Sequence, residues 1–421
     1  MIGRRQRTGV GALVIGGDYR SLGVVRSLGR HGIRVWVLRD DHHVAQWSRF
    51  CERSLPWPED YDERGKVAYL LDLARRNELD GWTIFPTQDE TAALIARNRD
   101  ALGAHYRLSI LAPWETLQWA YDKRLTYRLA DRVGVTHPRT WYPRDRNDIV
   151  AFDGTFPVII KPAISGLPNP LSVAKAWPAN DRQTLASRYD EACALIDPSL
   201  IMVQEVVPGG GENQFSFAAL CRDGQPLASL VARRSRQWPI DFGRASTYVE
   251  TIDGPAVEAP AARLLGELRF TGLVEVEFKR DPRDGAQKLL DINPRVWGWH
   301  TLGARAGVDF AYLLWRMMAG ATISPVRGRA GVRWVRALTD VPTAIGEVAA
   351  GRLSLRDYFL SLRRPVEFAV LATDDPLPAL VEIPATLLLA WKRRAALPKV
   401  HPSEITSLVQ SEQPSGRGAR R

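Results

Sequence analysis

Three residue types are scarce in this chain, and each shortage narrows what the protein can be. Its 421 residues include only 3 cysteines, Cys51, Cys193 and Cys221, far apart and without paired spacing. That excludes a disulfide framework and a zinc knuckle, and it suits a reducing cytoplasm, where we expect the protein to reside. Of the 57 basic residues only eight are lysine, so each lysine is informative. No stretch approaches the roughly 20 uninterrupted apolar residues of a membrane span. The nearest, Ile383 to Arg394, is about half as long. The start, "MIGRRQRTGVGALVIGG", has basic residues before an apolar run. That run is glycine-broken and leads into folded-looking sequence rather than a cleavage site, so it reads as a first strand. The 7 histidines are scattered, with no Ser-His-Asp or Cys-His arrangement, and His300 reads as a packing or substrate contact rather than a base. Gly16, Gly17 and Gly23 do not make GxGxxG, which leaves a dinucleotide site only weakly supported. The net charge of +10 is spread along the chain. Aromatic residues do not interleave with the basic ones, so we expect no nucleic-acid partner and an arginine surface serving small anions.

What is present points to a globular chain of two or three packed domains, with 45% hydrophobic and 25% charged residues. "GALVIGG", "DYRSLGVVRSLGRHGI" and "RVWVL" read as strand, helix and strand of a parallel sheet, a Rossmann-like start. "GWTIFPTQDETAALIARNRDALG" repeats the pattern, with a strand ending at Phe85 and a helix opening between Thr87 and Glu90. The segment from Pro113, "PWETLQWAYDKRLTYRLADRVGVTHPRTW", reads as one helix closed by Gly134 and followed by extended chain. In "FPVIIKPAISGLPNPLSVAKAW" a strand places Lys161 immediately before a proline. It reads either as a strand-end lysine reaching solvent or as a phosphate ligand beside a loop whose Ser165, Gly166 and backbone N–H groups cover an anion.

The segments from Leu200 to Arg295 supply the setting. "LIMVQEVV" reads as a buried strand leading into the sharp turn "PGGGE". "FSFAAL" and "LASLVARRS" form a hairpin around Asp-Gly. "GLVEVEFKRDPRDGAQKLLDINPR" is a second hairpin. Strand alternation puts Glu275 and Glu277 on one face of the first strand, and Asp291 and Asn293 likewise on one face of the second, so the hairpin can juxtapose Glu277, Asp291 and Asn293. Taken singly, either glutamate also reads as the solvated face of an edge strand. Together these oxygens would repel one another without a cation, and they suit Mg²⁺. With lysines ahead of them and a glycine-rich turn between, they read as a nucleoside triphosphate site.

The order of "YDKRLTYRLADRVGVTHPRT", "FPVIIKP", "VQEVVPGGGE", "RRSRQWP", "GLVEVEFK" and "LLDINPR" resembles the ATP-grasp superfamily of carboxylate-amine ligases. "FPTQDE" and "SRQWP" look closest to the branch of D-aspartate ligase and predicted ATP-grasp carboligases. The resemblance covers roughly residues 10 to 325, and "VEFK" with "DINPR" is its most specific pair. It implies an α/β and α+β architecture: an ATP-grasp fold with an N-terminal Rossmann-like pre-ATP-grasp domain (1–113), a small lid subdomain (114–200) and a catalytic subdomain (201–325). A mostly helical C-terminal extension (326–410) and a disordered tail (411–421) would follow.

Roles follow from the resemblance residue by residue. Lys123 and Lys161 match the lysines on the ATP phosphates, and the loop after Lys161 matches a flap over them. Gln204, Glu205 and Val207 match the hinge that meets adenine, largely through backbone, and Glu212 the acid on ribose. Glu277, Asp291 and Asn293 match the ligands of Mg²⁺ (or Mn²⁺), and Arg295 the arginine facing the transferred phosphoryl group. Arg236 and Gly243 match the acceptor side, flanked by Arg233 and Arg234. Two departures stand out: Asp291 replaces the commoner glutamate, and Pro168 and Pro170 stand in the flap where glycine and serine are usual. The implied reaction joins a carboxylate to an amine, an amino acid among them, through an acylphosphate, releasing ADP and phosphate. An ATP-dependent carboxylase, a phosphotransfer enzyme and a nucleotide-binding regulatory module stay open, as does a homodimer.

The C-terminal part is less legible. "GVRWVRALTDVPTAIGEVAAGRLSLRDYFLSLRR" suggests a strand then helices. "DDPLPALVEIPATLLLAWKRRAALP" suggests an apolar helix with a basic end, which either packs on the core or lies on an anionic membrane surface.

Overall fold

A parallel sheet forms first along the chain, where short all-apolar strands alternate with helices. The computed structural model describes residues 9–164, 176–238, 245–363 and 365–396. The flap residues Ser165, Gly166, Pro168 and Pro170, as well as Gly243 and the tail 411–421, lie outside the described residues. Strands β1 (Ala12–Ile15), β2 (Val35–Arg39), β3 (Cys51–Pro56), β4 (Thr83–Pro86) and β5 (Arg107–Leu108) line up as β3-β2-β1-β4-β5, every neighbour parallel. All four residues of β1 and of β4 are buried, as a parallel sheet covered on both faces requires. The helix Tyr19–Arg30 crosses from β1 to β2, and Asp18 caps it by accepting from the backbone N–H groups of Arg20 and Ser21. The helix Asp89–Arg97 follows β4, with Asp89 and Glu90 in its positive first turn.

The stretch expected as one helix from Pro113 is two, Trp114–Tyr121 and Lys123–Arg132. Asp122 between them is extended and caps the second, its carboxylate accepting from the Arg124 N–H at 2.9 Å. Local capping chemistry thus outweighs the continuous helical pattern. The break puts Lys123 at a helix start, where its N–H donates to the Ala163 carbonyl at 2.9 Å.

A four-stranded antiparallel sheet comes next. It is made of β6 (Thr140–Trp141), β7 (Val158–Pro162), β8 (Trp177–Ala179) and β9 (Ile201–Glu205) in the order β6-β9-β7-β8. Its small core joins Ile149, Val158, Ile160, Leu185, Tyr189 and Val203.

The largest sheet has eight strands: β10 (Gln214–Arg222), β11 (Gln225–Trp238), β12 (Ala245–Ile252), β13 (Gly272–Arg280), β14 (Gln287–Asn293), β15 (Val326–Arg327), β16 (Arg333–Val335) and β17 (Val366–Phe368). They run β14-β13-β10-β11-β12-β16-β17, with β15 beside β11. The β10–β11 turn is Asp223-Gly224, with φ of 49° and 80°, the left-handed pair that a two-residue hairpin needs. A side chain at Gly224 would also meet the Gly266 Cα at 2.7 Å. The hairpin expected from "GLVEVEFK" and "LLDINPR" is β13–β14, with Glu275 opposite Asn293 and Glu277 opposite Asp291.

The C-terminal extension is not helical throughout, because β16 and β17 prolong the large sheet. Its helices are Ala337–Ala349, Leu355–Ser361 and Leu377–Ala396. Asp374 and Asp375 pin it back onto the helix Tyr19–Arg30 and the segment just before β3. Buried Asp375 accepts from Arg26 Nε at 2.9 Å, Ser48 Oγ at 2.7 Å and the Arg49 N–H at 2.9 Å. No helix among the described residues is long and apolar enough to cross a membrane.

Candidate functional site

The small sheet faces the large sheet across a cavity of about 730 Å³. Each sheet contributes the end of a strand whose alternation turns polar groups inward. From the small sheet come Lys161 on β7 and Gln204 on β9. From the large sheet come Arg234 on β11, Glu277 and Lys279 on β13, and Asp291 on β14. The glycine-rich turn after β9, Gly209 to Glu212, closes one side, and Gly209 there has φ of 89°, a backbone state open to glycine at little cost. Ten of the residues singled out in the sequence line this cavity: Lys123, Lys161, Gln204, Glu205, Val207, Glu212, Arg234, Arg236, Glu277 and Asp291.

The two lysines arrive by different routes. Lys123 stands at the helix start created by the Asp122 cap and is buried, with Nζ 2.6 Å from Asp291 Oδ1. Lys161 pairs with Met202 in the β7–β9 register. Lys279, not singled out before, also lines the cavity. Burial pulls its ammonium below the usual lysine range, against the raising pull of Glu212 and Asp281. It shares a strand face with Glu275 and Glu277 by the two-residue period, and that period was the signal that would have found it.

The acidic face of the hairpin is held by donors on two strands, β14 and β11. Asn293 Nδ2 donates to Glu277 Oε1 at 2.8 Å and to Glu275 Oε2 at 3.2 Å. Arg234 donates to Glu277 Oε2 at 3.1 Å and to Gln214 Oε1 at 2.9 Å. Glu275 is buried, and its Oε1 has no hydrogen-bond partner among the described residues. Burial, reinforced by the charge of Glu277, pushes its carboxyl up to about 8. No group of three or more histidine, cysteine and acidic side chains among the described residues makes a metal site alone. The hairpin offers two carboxylates, Glu277 and Asp291, and the amide of Asn293. Such an all-oxygen set fits a hard cation that completes its shell with water and phosphate oxygens.

The side chains of the hinge and of the glycine turn are held by neighbouring groups. Gln204 is buried and donates to Tyr127 Oη at 3.0 Å and Thr140 Oγ1 at 2.8 Å. Glu205 is bound by Lys288 Nζ at 2.5 Å and the Arg139 N–H at 3.1 Å. Both side chains fasten the strand. Glu212 accepts from the Gly210 N–H at 3.0 Å and from Asn213 at 2.7 Å, shaping the glycine turn.

Arg295 and Asn293 lie outside the lining of the cavity. Arg295 forms a two-pronged pair with Asp89, at 2.7 and 2.8 Å. Burial alone would lower the arginine's pKa and raise the acid's, but their mutual attraction holds both charged. Asp89 belongs to "FPTQDE", a motif that carried no role until the fold placed it against the hairpin. Arg236 is similarly occupied, with Nε and Nη2 each 2.8 Å from the two oxygens of buried Asp340. Its guanidinium lies over Tyr248 and Tyr358, at 4.1 and 5.2 Å from the ring centroids. That pair brings the helix Ala337–Ala349 over β11, and Thr343, Glu347 and Arg352 of the extension reach the cavity. No sequence signal tied those three to a site, because their distance along the chain hides the contact. His300 is buried, with Nε2 3.0 Å from the Arg20 carbonyl.

The family described as ATP-grasp in the biosynthetic pathway with Ter operon matches residues 199–340. Among solved structures, the chain is similar to the L-amino acid ligase of Bacillus licheniformis, at 15% identity and a TM-score of 0.57 over 74% of each chain. It is similar to the biotin carboxylase domain of Hydrogenobacter thermophilus 2-oxoglutarate carboxylase, at 14% identity and a TM-score of 0.60 over 77% of this chain and 73% of the other. It also resembles N5-carboxyaminoimidazole synthetase from Staphylococcus aureus, at 16% identity and a TM-score of 0.56 over 77% of this chain and 81% of the other. With the hairpin, the glycine turn and the two facing sheets, these likenesses establish that the chain has the fold of the ATP-grasp superfamily.

Proposed function

We propose that this protein is an ATP-dependent ligase that joins a small carboxylate to an amine, one of them an amino acid, and releases ADP and phosphate. The observation that carries the reading is the meeting of Lys123, Lys161 and Lys279 with Glu277 and Asp291 in one cavity closed by the glycine turn at Gly209 to Glu212. Three ammonium groups suit a polyphosphate, and the apolar backbone stretch at Val206 to Pro208 suits a flat base. Glu277, Asp291 and Asn293 would hold Mg²⁺ or Mn²⁺, which supplies charge neutralisation at the phosphate oxygens. The similar 2-oxoglutarate carboxylase domain, solved in complex with MgADP, is in keeping with that choice.

The chemistry asks little of the protein beyond positioning and charge. A carboxylate oxygen of the acid substrate attacks the terminal phosphorus of ATP, and the bond to the bridging oxygen breaks, releasing ADP. The acylphosphate so formed is attacked by the amine. Its C–O bond breaks, and phosphate leaves carrying one oxygen of the original carboxylate. Lys123 and Lys161 would hold the phosphates through this transfer, and Arg295, fixed by Asp89, would contribute a constant positive field toward the spreading charge. Arg236 we assign to positioning, since its guanidinium holds the wall formed by the C-terminal extension. Incubation with ATP, Mg²⁺ and pooled acids and amines tests the reading. Ligation requires ADP release that depends on both co-substrates. Release dependent on bicarbonate alone would make it a carboxylase, and ATP binding with no release under any pairing would make it a nucleotide-binding module.

A further inference from the structure

Most of the exposed large apolar side chains among the described residues lie between Val341 and Trp391. The helix Leu377–Ala396 concentrates them. Its inner face carries Pro378 and Glu382, both buried, and Glu382 lies 3.6 Å from Arg336. Its outer face carries Leu380, Ile383, Leu387 and Trp391, which are 73%, 58%, 66% and 67% exposed. Spacings of three, four and four residues put these on one continuous stripe. A surface helix ordinarily turns its apolar stripe to the core and its charges to water. Here the polarity is inverted: the helix's one acid points inward and its outer stripe is bare hydrocarbon. Ile345 and Phe359, on the two preceding helices, are 65% and 66% exposed as well.

We propose that this outer face docks the protein on an anionic phospholipid surface, with the helix lying in the plane of the interface. Charge favours that occupant. The helix carries no carboxylate on its outer stripe, and the nearby Asp374 and Asp375 are engaged by Arg30 and Arg26. In sequence, Lys392, Arg393 and Arg394 come directly after Trp391. An aromatic residue at the end of an apolar stripe, followed by a basic cluster, fits the headgroup boundary of a negatively charged leaflet. A second copy of the chain fits less well. A helix-pair seam needs a straight stripe flanked by charges that set register, whereas Pro384 interrupts this helix and Leu388 flanks the stripe. The apolar run is also too short to span a bilayer.

The test uses the full chain and vesicles of phosphatidylcholine, with and without a third of phosphatidylglycerol. The protein should sediment with the anionic vesicles, sediment far less with neutral ones, and release as salt is raised. The variant carrying Leu387→Glu and Trp391→Glu should lose binding at least ~tenfold, with its thermal midpoint and ATP turnover unchanged, since both side chains are exposed. Failure of the wild type to sediment with anionic vesicles at low salt would overturn the proposal, as would undiminished binding by the double variant. A wild-type dimer that the double variant converts to monomer would assign the face to a second copy instead. These readouts do not depend on the ligase chemistry, so either idea can fail alone.

Discussion

Removing the carboxylate of Asp340 should detach one wall of the candidate site without touching any group assigned to the phosphates. Asp340 is fully buried and accepts three hydrogen bonds: two from Arg236 at 2.8 Å each and one from Thr247 Oγ1 at 2.9 Å. Asp340→Ala would leave the Arg236 guanidinium, only 10% exposed, without its counter-charge and the Thr247 hydroxyl without an acceptor. Breaking one side of a buried pair costs about 3–5 kcal/mol. Arg236→Ala should cost a similar amount, since it orphans Asp340 and removes the stacking on Tyr248 and Tyr358. Both changes break the same contact, so the double variant should cost less than the two single losses added together, with a coupling of about 0.5–3 kcal/mol. Urea unfolding followed by tryptophan fluorescence gives the energies, and hydrogen exchange in Ala337–Ala349 shows which element loosens. A loss below about 1 kcal/mol for Asp340→Ala, with additive energies in the double variant, would refute the idea that this pair holds the wall.

Three further outcomes follow from the same geometry. Lys161→Ala and Asn293→Ala should each abolish turnover with the chain still folded, and turnover at wild-type rates would remove those residues from the site. Asp375→Ala should destabilise by about 3–5 kcal/mol, because it strips the counter-charge from buried Arg26 and the acceptor from Ser48; a change under about 1 kcal/mol in urea melts would contradict the strap it forms between the extension and the first domain. Burial pushes the Cys221 thiol up to about 12 from an ordinary value of 9.0. The folded state therefore keeps its proton longer than the unfolded chain, and that contribution to stability is intact below pH 9 and lost as pH rises toward 12. Cys221→Ser should flatten this alkaline decline, and rapid alkylation of native Cys221 at pH 8 would contradict the burial argument.

The sequence made the hairpin at "VEFK" and "DINPR" legible because a two-residue period and an Asp-Gly turn are local signals. It made Lys123 and Lys161 legible because lysine is rare here. It could not show that Asp122 splits a helix, since capping competes with helix propensity on a scale of about 1 kcal/mol that a periodic pattern does not record. Nor could it show that Arg295 meets Asp89, or that Arg236 meets Asp340. Those pairs join residues about two hundred and one hundred positions apart, and only the sheet order brings them together. The inverted polarity of the last helix was half legible: its apolar content was plain, but which face the core had already taken was not.

If a carboxylate is activated by phosphorylation in the cavity lined by Lys123 and Lys161, one of its oxygens must leave with the phosphate. The most direct test labels both oxygens of the acid substrate with ¹⁸O, runs the complete reaction with ATP, Mg²⁺ and the amine, and weighs the released inorganic phosphate. An acylphosphate route predicts one ¹⁸O in each phosphate for every amide formed, and none when the amine or the acid is withheld. Amide formed with unlabelled phosphate would contradict the account.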